Sequence, residues 1–222
     1  VTVAAPPLTD RFFANVARMG QRRRTNPEHY LVVWCSESDL NAAITNSIGA
    51  RGLNQMTPGT LRDLGAPADF EQLSPEGQLP WIERLIAARE PLNGGPFETA
   101  ARYYHSNFFP LTMARGKAPS TIVVASDATD PRERGAYTAN VGLDADGDGR
   151  ITLKDLATVL ERVRATRCQQ AFARLERAVQ ALPAPGVTWA GPQIARRRGG
   201  GAIVVGAAAA LGLVGLVLWR GR

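Results

Sequence analysis

The chain has 222 residues, 45% of them apolar and 21% charged, which suits one folded domain with an appendage and excludes general disorder. Its formal net charge of +6 rests almost wholly on arginine, Lys117 and Lys154 being the only lysines. That balance favours an anionic partner such as membrane headgroups or an acidic wall polymer; basic and aromatic residues are not interleaved as in single-strand binders, so no nucleic-acid partner is expected.

The opening VTVAAPPLTD lacks a basic stretch and is broken by Pro6 and Pro7, so no signal peptide is expected in it. Residues 11–24 predict an amphipathic helix with Phe12, Phe13, Val16 and Met19 on one face and arginines at its C-terminal end. Thr25, Asn26 and Pro27 form a helix start, and the helix they open runs through the apolar Tyr30, Leu31, Val32, Val33, Trp34 and Cys35 to about Glu37. A loop bent by Gly49, Gly52, Pro58 and Gly59 follows. Further helices are predicted over 57–65, over 80–89 with Trp81, Ile82, Leu85 and Ile86 sharing a face, and over the aromatic-rich 97–109. STIVVAS, residues 120–126, has the length of a strand or of a short buried helix. Residues 152–182 read as one long helix with Leu156, Val159, Leu160, Val163, Phe172, Leu175, Val179 and Leu182 on one side. Each of the two cysteines, Cys35 and Cys168, lies in an apolar helical pattern, and two buried free thiols are expected.

The C-terminal part reads differently. Residues 183–198 are rich in Pro, Gly and Arg, a linker composition. From Gly199 to Trp219 there is no charge, and an uncharged apolar stretch of about 20 residues spans the hydrocarbon core as a helix. Arg196, Arg197 and Arg198 flank one end, and Arg220 and Arg222 the other, so the positive-inside rule gives no orientation. The organisation expected is a mainly α domain over 1–182, a linker over 183–198 and a transmembrane helix over 199–219, with a lipid membrane as partner.

DADGDGRITLKD, residues 144–155, is the most specific short motif. Asp144, Asp146 and Asp148 alternate, Gly149 allows the sharp turn, Arg150 offers a backbone carbonyl, and Asp155 closes a twelve-residue loop. Hard oxygen ligands at this spacing suit Ca²⁺. An Asp/Gly-rich surface turn would need neither the hydrophobe Ile151 nor the closing acid. Asp155 is shorter than the glutamate of sensor loops and no second loop is visible, so a structural ion is expected rather than a switch.

Glu37 ends a buried helix one turn after Trp34, where desolvation raises a carboxyl pKa toward that of a general acid. Glycosidases usually pair two carboxylates, and neither Asp39 nor Asp63 is an obvious second one. The stretch ESDLNAAITNSIGARGLNQMTPGT, about 24 residues from Glu37 to Thr60, resembles the catalytic signature of soluble-type lytic transglycosylases of the lysozyme-like superfamily. It carries Glu37, Ser38, Asn41, Gly49, Ala50, Gly52, Leu53, Gln55, Pro58 and Thr60 at that signature's spacing. QLPWIERLI (78–86) and YYHSNFFP (103–110) resemble segments of phage-associated members, and some members carry a calcium loop.

The resemblance implies a lysozyme-like (goose-type/transglycosylase) helical domain with a cleft for the peptidoglycan glycan strand. Glu37 would protonate the bond between N-acetylmuramic acid and N-acetylglucosamine, then act as base while the muramoyl 6-hydroxyl closes a 1,6-anhydro ring. That chemistry needs no second carboxylate. It implies sugar contacts from Ser38 and Gln55, a cleft tyrosine from Tyr104 or Tyr103, and a further candidate in Tyr137. Asn54 stands where many members have an apolar residue, often methionine, at a sugar contact. The placement expected is membrane-anchored in a virion, at an internal membrane or ejection apparatus, with other virion proteins as partners and local wall opening during genome delivery as the task. A bacterial inner-membrane enzyme facing the periplasm is the near alternative. A hydrolytic lysozyme, and a calcium-stabilised structural or assembly protein on an idle lysozyme-like fold, are the competing functions. His29 and His105 are isolated, so zinc is not expected.

Overall fold

A computed structural model describes residues 7–183. The predicted linker from residue 184 and the predicted membrane span 199–219 lie outside the described residues. No helix among the described residues is long and apolar enough to cross a membrane. The domain is mainly α.

Helix α1 (Asp10–Arg23) starts where the Thr9 hydroxyl accepts from the Phe12 amide, and buries Phe12, Phe13, Val16 and Met19. Helix α2 (Pro27–Ser38) starts under an Asn26 cap with proline in its first turn. It is apolar on every side from Tyr30 to Cys35, and all six residues are buried. A helix apolar all round must be enclosed by protein. Here α2 is surrounded by α1, by α5 (Ala100–Phe108), by α7 (Leu153–Thr166) and by α8 (Gln169–Gln180). Helix α3 (Pro58–Leu64) opens on a Thr57 cap, and α4 (Pro75–Asn93) on a Ser74 cap. Helix α4 therefore begins five residues before the apolar face that predicted it. Arg22–Glu83 and Arg23–Glu90 ion pairs lace α1 to α4.

STIVVAS resolves as a strand. β1 (Ile122–Ala125) pairs antiparallel with β2 (Arg150–Thr152), Val124 opposite Ile151 and Ala125 opposite Arg150. Strand β2 is the exit of the acidic loop, so β1 does for this loop what a second loop would do in a paired module. Helix α6 (Pro131–Ala139) precedes the acidic loop and α7 follows it.

Two expectations are corrected. Residues 152–182 form two helices rather than one: the chain leaves helical geometry at Arg167 and Cys168, the latter at φ 53°. No glycine or proline breaks the helix there. Tertiary ties do, because Arg167 pairs with Asp39 and Cys168 is bonded to Cys35, both at the end of α2. The two cysteines are accordingly not free thiols but a disulfide joining residues 133 apart in sequence. The apolar helical setting of each cysteine hid the pairing, since burial alone suits a thiol and a cystine equally.

Candidate active site

The last turn of α2 carries Glu37. Directly after it the backbone turns left-handed at two successive non-glycine residues, Asp39 (φ 51°) and Leu40 (φ 60°). Left-handed backbone costs a residue with a Cβ on the order of 1 kcal/mol or more, and persists only where neighbours over-determine it. Three of them do so here: the Asp39 amide donates to the Cys35 carbonyl at 3.1 Å, the Asp39 carboxylate accepts from Arg167 Nε at 2.9 Å, and Cys35 is tied to Cys168.

The glycine-bent loop folds back beside Glu37 as a narrow tongue. Arg51 and Met56 exchange both backbone hydrogen bonds at 3.0 Å, and the Gly52 amide donates to Ile44 at 2.9 Å. The Asn46 side chain accepts from the amides of Ile48 and Ala50 and shapes the tip. Ser38 Oγ bonds both the Trp34 and Leu53 carbonyls at 2.9 Å, which fastens the tongue to α2 one residue after Glu37.

Gln78 of α4 is the clamp that sequence reasoning missed. Wholly buried, it accepts from the Leu53 amide at 2.9 Å and donates to Ala42 at 2.7 Å and Phe70 at 3.2 Å, holding both arms of the tongue. Its only sequence signal was its place at the head of QLPWIERLI. Gly52, at φ 74°, runs so close beneath that an added Cβ would stand 2.4 Å from Gln78 Oε1 and 2.6 Å from Phe70. Gly52→Ala is therefore expected to cost about 3 kcal/mol or more, from an unfavourable left-handed φ and overpacking together. Chemical denaturation checks this; a loss below about 1 kcal/mol would mean that the tongue is not clamped as described.

Around Glu37 the surroundings are aromatic. Burial pushes its carboxyl up to about 7 from an ordinary 4.5, and the opposing pull of the Tyr104 hydroxyl does not restore it. Tyr104 is itself raised well above the ordinary tyrosine range by burial and by the Glu37 charge. Its hydroxyl lies beside the carboxyl, sealed from solvent and without a hydrogen bond of ordinary geometry. Tyr103 also feels the Glu37 charge, though burial dominates its upward shift. Among the described residues no second carboxylate acts on Glu37: Asp39 is turned to Arg167.

Asn54 is the centre of a buried polar cluster. Asn54 Oδ1 accepts from Trp34 Nε1 at 3.0 Å, from the Tyr103 hydroxyl at 2.7 Å and from Asn107 Nδ2 at 2.9 Å. Gln55, left-handed at φ 43°, donates its amide to Gly52 at 2.9 Å and so braces the tongue from within. Glu37, Ser38, Asn54, Gln55, Tyr103 and Tyr104 are thus brought together. Tyr137 is not among them: its hydroxyl donates to Asp144 at 2.8 Å, at the acidic loop. A separate groove of about 480 Å³ between α2, α5 and α7 is lined by Val32, Ala101 and Leu160 and does not include Glu37.

At the acidic loop, carboxylate oxygens of Asp144, Asp146 and Asp148 lie within 4.8 Å of one another. Gly147 (φ 74°) and Gly149 (φ 88°) supply the left-handed turns. Burial raises the Asp144 carboxyl, but the Tyr137 hydroxyl and the amides of Gly149, Gly147 and Asp148 outweigh it and hold the group below its ordinary value. Asp155 stands apart, its Oδ2 accepting from the Thr152 amide at 2.8 Å in a capping box that starts α7. No family model matches this chain, and neither a curated protein nor a solved structure matches it.

Proposed function

We propose that the chain is a peptidoglycan lytic transglycosylase with Glu37 as its acid and base. The single observation that carries this reading is a carboxyl raised to about 7 by burial, with no second carboxylate acting on it. At neutral pH such a group is about half protonated and can give its proton to a leaving oxygen. In the first step the Glu37 proton goes to the glycosidic oxygen and the bond to C1 of the muramoyl residue breaks. In the second, the muramoyl O6 bonds to C1 and its proton returns to the Glu37 carboxylate. Atoms and charge balance without water, and the enzyme is regenerated.

The sealed Tyr104 hydroxyl supports the same reading: it meets the Glu37 carboxyl without a hydrogen bond of ordinary geometry, and a buried polar group of that kind calls for an explanation such as a catalytic role. So do the strained residues Asp39 and Leu40, directly after the last turn of α2, and Gln55 in the tongue. Ser38 and Gln55 spend their donors on backbone carbonyls, so their contribution is to fix the tongue rather than to offer donors to sugar. The test is digestion of purified peptidoglycan by the chain and by Glu37→Gln, with products read by mass spectrometry. Anhydromuropeptides from the parent alone are expected. Reducing-end muropeptides would mean a hydrolytic lysozyme, and no cleavage by folded protein would mean an idle site.

The acidic loop fits a structural Ca²⁺. Three hard carboxylate oxygens converge, and the Arg150 carbonyl and the second oxygen of Asp155 would complete the set. When bound, the ion neutralises the repulsion among these acids and pins the β1–β2 pair to the start of α7. Calcium at about 100 times its Kd is expected to add about 2.7 kcal/mol of stability. Asp146→Ala is expected to abolish that gain while leaving the calcium-free protein nearly unchanged, because Asp146 is exposed and its single ion pair, to Lys154, is 3.9 Å long. Thermal unfolding with calcium and with chelator decides it; equal midpoints in the parent would remove calcium from the reading.

The composition of residues 199–219 supports attachment to a membrane, and the cystine supports a site of action outside a reducing cytoplasm. Both suit a virion-borne enzyme that opens the wall locally, and equally one at the bacterial inner membrane facing the periplasm.

A further inference from the structure

A third ligand-bearing side chain stands against the Cys35–Cys168 cystine. A carboxylate oxygen of Asp39 and the two sulfurs all lie within 4.8 Å of one another. Asp39 follows Cys35 by four residues at the end of α2, where its amide donates to the Cys35 carbonyl at 3.1 Å. Cys168 is held beside them by its neighbour Arg167, whose Nε donates to Asp39 Oδ1 at 2.9 Å. Asp39 and Cys168 both hold left-handed backbone, at φ 51° and 53°, so the convergence is kept at two strained positions. Cys35 is wholly buried, Cys168 half-buried and Asp39 exposed, so the cluster is open to solvent on one side.

In the cystine the two sulfurs are spent on each other. Two electrons and two protons, from thiols that are themselves oxidised to a disulfide, open it to two thiols beside a carboxylate. Two thiolates and a carboxylate are a donor set for zinc, with water at the fourth corner of the tetrahedron. Zinc takes sulfur at about 2.3 Å and oxygen at about 2.0–2.2 Å, so its ligands stand less than about 4.6 Å apart. The Cα atoms of the two cysteines, 6.4 Å apart, leave that width between them. Arg167 bonds only Oδ1 of Asp39, which leaves Oδ2 to ligate while the guanidinium orients the carboxylate. With Arg167 included, a divalent ion brings the cluster to zero net charge. We propose that Cys35, Asp39 and Cys168 of the reduced chain form a zinc site, and that the cystine replaces it on oxidation. Binding releases both thiol protons, and oxidation expels the ion. The ion ties α8 to the end of α2 as the bridge does, so a chain made in a reducing cytoplasm has this joint before it has the disulfide. The site involves no glycan chemistry and stands or falls apart from the transglycosylase reading.

The test uses the full chain, reduced with a phosphine so that no competing thiolate is present, and kept in excess calcium so that the acidic loop does not take the probe. Cobalt(II), a spectroscopic stand-in for zinc, is titrated into it. One ion per chain is expected, with a thiolate-to-cobalt charge-transfer band and the visible absorption of tetrahedral cobalt, both lost when zinc displaces it. The oxidised chain is expected to show neither. Asp39→Asn should weaken the affinity about tenfold or more, and Arg167→Gln, which breaks the same ion pair but removes no ligand, should weaken it less. If the reduced chain is unfolded without metal, circular dichroism reads the same question: zinc is expected to restore the helical signal, and a chain that stays unfolded in zinc would overturn the site. So would a folded, reduced chain without the charge-transfer band, a band equally strong in denaturant, or an Asp39→Asn affinity equal to the parent's.

Discussion

Replacing Glu37 with glutamine is expected to abolish glycan cleavage, by about 10³-fold or more, and at the same time to stabilise the fold. Both effects come from one cause. Burial holds the carboxyl up to about 7, compared with 4.5 in the ordinary case, against the downward pull of the Tyr104 hydroxyl. The folded state therefore binds this proton more tightly than the unfolded chain does. The stabilising contribution is complete below about pH 4.5 and is lost as pH rises through about 7. Glutamine has no proton to lose. Its advantage over the parent should be near zero at pH 4 and grow to about 3 kcal/mol at pH 8, the order of magnitude that such a shift implies. Denaturant titrations of both proteins at the two pH values measure it, and a pH-independent difference would sink the claim that the carboxyl is desolvated.

The cleavage rate carries the same signature. Glu37 must hold its proton to act on the glycosidic oxygen, so the rate should fall as pH rises through about 7. Tyr104→Phe should move that limb to higher pH, because the Tyr104 hydroxyl pulls the carboxyl down. A limb that stays in place would remove Tyr104 from the proton's surroundings.

Which parts of this site could be read from the sequence follows from how local each determinant is. The starts of α2 and α3 were legible because Asn26–Pro27 and Thr57–Pro58 carry their own caps. Ser74–Pro75 does the same for α4, yet Pro80 inside the helix masked it and moved the expected start downstream. The bends at Gly49 and Gly52 were visible, but what makes Gly52 irreplaceable is Gln78, whose role exists only once α4 lies over the tongue. Tyr137 sits within seven residues of Asp144 and belongs to the acidic loop, a short-range contact that the expected place in the cleft obscured. Asn54 was visible as a departure from an apolar pattern. Its meaning appears only when Trp34, Tyr103 and Asn107, from two other helices, converge on its oxygen. The break between α7 and α8 left no local trace, because the residues that enforce it, Asp39 and Cys35, are more than a hundred positions away.

That break leads to the second large effect. The Cys35–Cys168 bridge closes a segment 133 residues long, and constraint of the unfolded chain by a loop of that size is worth about 5 kcal/mol in the chain-entropy model. Cys35→Ala with Cys168→Ala, or reduction of the parent, is expected to remove most of it, and against a typical domain stability of about 5–15 kcal/mol that is a large share. The activity should fall further than the folded fraction, for a local reason. Cys35 lies two residues before Glu37, and Arg167, next to Cys168, pairs with Asp39 two residues after it. The bridge and the ion pair together hold the left-handed turn at Asp39 and Leu40, and with it the last turn of α2. Without the bridge the Arg167–Asp39 pair stands alone at an exposed position, where an ion pair is worth at most about 1 kcal/mol, comparable to the cost of one strained residue. The end of α2 should then unwind locally, Glu37 should become solvated, and its raised pKa should relax toward 4.5. The measurement is the pH limb of cleavage in the cysteine-free protein below its unfolding midpoint. A limb displaced to lower pH with weakened cleavage is the expected result. A limb unmoved at about 7 would show that α2 keeps its last turn unaided and that the bridge serves global stability alone.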